Sequence, residues 1–176
     1  MHGFPRRKAS LIVSVLGITL GIMALGLATP STVPAQLIGE EAELDRLQEK
    51  AEASMALGDP EGAALNIGKA ALMASILAKK EPETDAGQIY LGMAWLFRAQ
   101  ENTYRAIALF QRGGEGIPAS SGVCYSLALG AQDAERSQEP LGTLAPTDPD
   151  QQRFQAQALK WTETIKELQA DFECPR

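Results

Sequence analysis

The residues best equipped for chemistry are few: Cys124 and Cys174, the single histidine His2, and the glycine cluster of Gly113, Gly114 and Gly116 before Pro118. The cysteines do not form a Cys-x-x-Cys pair, so a redox enzyme is not indicated. In an oxidising compartment two such residues bridge readily, and a bond between them would tie the C-terminal helix to the fifth. The alternative is a buried thiol at Cys124 and a free one at Cys174. His2 lies in a segment expected to be removed, which takes away the usual general base and the commonest metal ligand together. The glycines would cradle a phosphate only after a strand and before a Lys-Ser or Lys-Thr pair. Neither is present, and the cluster reads as a loop. The carboxylates are scattered, with no motif placing an acidic pair. Catalysis, a metal site and a cofactor are therefore not expected.

The N-terminal residues set the compartment. Arg6, Arg7 and Lys8 precede an uncharged run from Ala9 to Ala28, followed by Pro30, Pro34 and the small-residue site Val33-Pro34-Ala35. That order of charged, apolar and cleavable parts is that of a secretory signal. Residues 1–35 are thus expected to form a signal peptide, with 36–176 as the mature domain. A retained anchor over residues 9–28 is the competing reading, since about 20 apolar residues also span a bilayer. Either outcome exports the remainder to a periplasmic, lumenal or extracellular space. Without the three basic residues of the signal, 13 of the 16 Lys and Arg remain against 22 Asp and Glu, a formal charge of −9. Such a surface repels phosphate backbones, so nucleic acid is not an expected partner.

The mature chain reads as helical throughout. Leu44, Leu47, Ala51 and Met55 recur at three and four residues in a first helix, Glu40 to Leu57. Gly58-Asp59-Pro60 ends it and opens the next, which runs from Glu61 to Lys79 and carries Ala63, Ile67, Ala70, Ala74 and Leu77. The polar stretch from Glu81 to Asp85 caps a third helix, Ala86 to Gln100. With a turn at Asn102, a fourth follows from Thr103 to Arg112. A fifth covers Ser120 to Arg136, residues 137–150 form the longest loop, and residues 151–172 form a terminal helix. Its apolar stripe of Phe154, Ala158, Trp161, Ile165, Leu168 and Phe172 suits a cap on the end of a stack.

Between Gly87 and Ser120, Tyr90, Met93, Ala94 and Phe97 share one helical face and Ala106, Ile107 and Phe110 another, with Pro118 beyond. This unit resembles a tetratricopeptide repeat, in which small residues sit where paired helices touch and large ones where neighbouring pairs pack. Ala94 and Ala106 would be the close contacts. Gly113 replaces a usual alanine. Ala128 lies one repeat length beyond Ala94, and the segment from Gly58 to Ala70 looks like half of an earlier unit. The fold expected is all-α, a short stack of three antiparallel helix pairs, six helices in all.

By that resemblance, ligands would lie along the first helices of successive pairs, at Gln88, Leu91, Trp95, Arg98, Tyr125, Leu129 and Gln132. Trp, Tyr and Arg are the residue types that dominate interface energetics. The expected function is a non-catalytic scaffold that captures a peptide or partner helix and supports an envelope or lumenal complex. The alternative is a membrane-anchored structural bundle without a groove.

Overall fold

The computed structural model describes residues 35–113, 122–142 and 149–175. Residues 1–34 of the predicted signal or anchor segment lie outside them. Five helices are present: α1 (Ala35–Ala56), α2 (Pro60–Lys80), α3 (Asp85–Gly113), α4 (Val123–Gly142) and α5 (Pro149–Asp171). The described residues contain no strand, so the fold is all-α. None of these helices is long and apolar enough to cross a membrane.

The helix ends follow local chemistry. Gly58 takes φ +75° after α1, a conformation that a side chain would strain. The Asp59 carboxylate then accepts from the Gly62 N–H at 2.9 Å, with Pro60 in the first turn of α2. Thr84 serves α3 in the same way, its hydroxyl oxygen accepting from the Gly87 N–H at 3.0 Å. Both hydroxyl and carboxylate satisfy amide donors that the first helical turn leaves open.

The predicted turn at Asn102 is not formed. Residues 86–100 and 103–112 belong to one continuous 29-residue helix, about 43 Å long, and six predicted helices become five. The physical reason is that no Gly or Pro stands between Gly92 and Gly113, and one Asn costs a helix only a fraction of a kcal/mol, under about 0.7. The Asn102 side chain is also engaged elsewhere, donating to Asp133 Oδ2 of α4 at 3.0 Å. Ala94 and Ala106 are both buried, but on the same helix rather than across a hairpin. The predicted loop over residues 137–150 is likewise shorter. α4 continues through Pro140 to Gly142, and Gln151 of α5 donates to the Leu141 carbonyl at 2.7 Å, serving an acceptor that the helix end leaves open.

Consecutive helices alternate in direction. Glu40 meets Lys80 at 2.6 Å across α1 and α2, and Glu61 meets Arg112 at 2.9 Å across α2 and α3. Gly92 abuts Leu141, while Gly130 lies beside Thr103, so α3 and α4 are antiparallel. α3 and α5 run parallel, shown by three ring contacts in step: Phe97 with Phe154, Tyr104 with Trp161, and Phe110 with Phe172. α3 is therefore the central element, packed against α2, α4 and α5. Cys124 at the start of α4 is bonded to Cys174 beyond α5, with a Cα separation of 5.4 Å.

Candidate functional site: a groove over the central helix

α2 is built with its small residues inward. Of its buried positions Ala63, Ala64, Ala70, Ala71, Ala74 and Ala78 are alanines, whereas Leu65, Leu72 and Ile76 are 60, 56 and 47 % exposed. Ile67 and Leu77 are also buried, but the other three Leu and Ile side chains of α2 stay in water, although burial would make each worth about 1.5–3 kcal/mol. Alanines instead let α2 approach α3 closely. At Gly68 an added Cβ would stand 2.8 Å from Glu101 Oε1. Leu65, Leu72 and Ile76 lie at steps of seven and four residues and so form one line on the outer side of α2.

Beside that line runs the uncovered face of α3. Leu91, Arg98, Arg105 and Arg112 are spaced by seven residues, and all are exposed. Glu101, only 5 % exposed, is hydrogen-bonded by Arg98 Nη1 at 2.9 Å and by Arg105 Nη2 at 2.5 Å. A single buried carboxylate thus holds two guanidinium groups at the surface, leaving that trio with one net positive charge. The far wall belongs to α4, where Ser126, Leu129 and Asp133 share a face at intervals of three and four. Near Arg112 the three helices enclose an open groove of about 450 Å³, whose lining includes Leu65, Leu109 and Ser126.

The predicted binding residues divide on this geometry. Leu91, Trp95 and Arg98 lie along the outer side of α3, and Leu129 lies on the α4 side that carries Ser126. Trp95 is half-buried, with the Arg136 guanidinium carbon 5.1 Å from its ring centroid, a cation–π arrangement that covers one face of the indole. Gln88 is half-buried and donates to the Pro82 carbonyl at 2.9 Å, so its amide is tied to the preceding turn. Tyr125 is 69 % exposed, but it precedes Arg136 by eleven residues, roughly 16 Å along α4. It therefore does not face Trp95. Gln132 is exposed and lies one residue off the face shared by Leu129 and Asp133.

Sequence reasoning missed Leu65, Leu72 and Ile76, Glu101 and Asp133. The outward leucines had a readable signal, the alanine line of α2 on its opposite side. Burial raises the Asp133 carboxyl above the ordinary aspartate range, opposed by the Arg136 charge and by the hydrogen bond from Asn102. No group of three or more His, Cys, Asp or Glu side chains suited to a metal ion occurs among the described residues. Comparison of the chain with protein-family models, with curated proteins and with solved structures finds no match.

Proposed function

We propose that this chain is an exported, non-catalytic scaffold that captures a peptide or partner helix in the groove over α3, supporting assembly or localisation of an envelope or lumenal complex. The observation that carries this reading is the outward line of Leu65, Leu72 and Ile76, apolar area that the chain leaves in water while burying alanines. Exposed apolar surface rimmed by polar groups is characteristic of interaction sites, and a groove between helices suits a segment laid along it. In this reading the tetratricopeptide likeness takes a revised form: α1 with α2 and α3 with α4 act as antiparallel pairs, and α5 is the terminal cap.

The test is in-cell crosslinking and purification of the tagged chain beside its Leu72→Glu, Ile76→Glu variant. Both positions are exposed, so helicity and thermal midpoint should stay within error of the parent. The expected result is loss of the captured partner from the folded variant. An unchanged set of partners would remove the groove from consideration.

A further inference from the structure

The charge on α3 is arranged as regularly as the leucines on α2. Arg98, Arg105 and Arg112 recur every seven residues, with side chains 46, 60 and 68 % exposed. Each guanidinium offers five N–H donors, so bonding to Glu101 or Glu61 leaves others free for a second acceptor. The Arg112–Glu61 pair is exposed on both sides, and such a pair holds its members weakly, about 0–1 kcal/mol. Lys69, exposed between Leu65 and Leu72, adds to the same sign.

The two lines are in step. α2 and α3 are antiparallel, Leu65 shares its groove with Arg105 and Arg112, and one step of seven in each helix brings Leu72 level with Arg98. An apolar line stepping by seven and then four residues thus runs alongside a cationic one with a seven-residue period. That period matches a helix which supercoils against its partner in the left-handed sense, with apolar residues on the seam and charged ones flanking it.

Building on the groove reading, we infer that the occupant is an amphipathic helix of another polypeptide. It carries Leu-type residues on one face and Asp or Glu at seven-residue spacing beside them. Charge complementarity favours this occupant over a second copy of the chain. The most acidic of the described helices, α1, exposes Glu41, Asp45, Glu49 and Glu52, but its exposed residues between Glu41 and Ala53 include no apolar side chain larger than alanine. It has carboxylates without the ridge. The stripe is also a cationic strip on an acidic chain, and such a local field selects and steers a partner of opposite sign.

The probe is a fluorescein-labelled peptide of three heptads with Leu at the seam and Glu at both flanking positions, kept below its own association range, alongside a twin with Lys for Glu. Anisotropy titrations use the full chain. The Glu peptide should bind at least about tenfold tighter than the Lys peptide and lose about tenfold in affinity when salt is raised from about 50 to about 500 mM. Arg112→Glu, which alters only an exposed pair, should weaken the Glu peptide and strengthen the Lys peptide. Leu72→Glu should abolish binding of both.

A photocrosslinker at Leu72, used in cells, separates the two levels of inference. Equal binding of both peptides, or binding of neither while Leu72 crosslinks another protein's segment without recurring carboxylates, overturns the acidic helix and leaves the groove standing. Crosslinks only to a second copy or to residues 1–34 overturn both. Retention on phosphatidylglycerol vesicles that Arg112→Glu abolishes, with no affinity for the Glu peptide, would reassign the stripe to a lipid surface.

Discussion

The seam between α2 and α3 and the seam between α3 and α5 are built from opposite materials. α2, which packs against both α1 and α3, buries six alanines, whereas α5 meets α3 through three ring pairs, Phe97–Phe154 and Tyr104–Trp161 edge to face and Phe110–Phe172 tilted. Alanines bring helix axes together and bury little area each; rings bury much and hold the axes further apart. The difference shows where the chain places its apolar surface. On the α5 side it is used for cohesion, and on the α2 side Ile67 and Leu77 are buried while Leu65, Leu72 and Ile76 are kept outside.

Removing a ring should therefore cost far more than altering α2. Phe97 is fully buried, and Phe97→Ala should destabilise by about 3–5 kcal/mol, measured as the shift in a chemical unfolding midpoint. A loss below about 1 kcal/mol would mean that the aromatic seam collapses around the gap and that the two seams differ little in cohesion. Next in size is the covalent tie on the same side. Replacing Cys124 and Cys174 together by Ser opens a link across 50 residues, worth about 4 kcal/mol by loop-closure entropy. The parent unfolded in reductant should lose a similar amount, and insensitivity to reductant would count against the tie.

The alanine seam is tested by overfilling. Ala71, 1 % exposed, should tolerate leucine poorly, at about 1–3 kcal/mol, with no compensating gain from the added methyl groups. A neutral result would show that α2 is loosely seated. Smallest is the effect at Asp133, on the groove wall. Its carboxyl holds a proton more tightly when folded, so its favourable contribution is complete below the ordinary aspartate range and is lost as pH rises through the raised value. Asp133→Asn removes that loss. Across this acid window its stability relative to the parent should move upward by no more than about 0.5 kcal/mol, and a downward drift would assign Asp133 a net attractive role with Arg136.

Much of this was legible from residue order. Gly58-Asp59-Pro60 marks the break between α1 and α2, and the terminal stripe from Phe154 to Phe172 marks α5. Both signals are local: a left-handed glycine, a capping carboxylate, a repeated apolar step. The failures arose where the deciding contact lies in a distant helix. Asn102 looks like a turn residue until Asp133 occupies its amide, and Pro140 looks like a helix breaker although α4 continues beyond it to Gly142. The candidate site was only half readable for the same reason. Trp95 and Arg98 stood out by type, but the arginine stripe acquires meaning from Leu65 and Leu72, which lie one helix away.

The Cys124–Cys174 bond turns part of the polypeptide into a closed ring. A protease that severs one peptide bond within residues 125–173 opens the ring without releasing a fragment, and the molecule stays one covalent piece. The same cut on the α1 and α2 side would divide it. The two halves therefore differ in how they endure damage: one can be nicked and remain assembled, while the half that carries the outward leucines must stay intact.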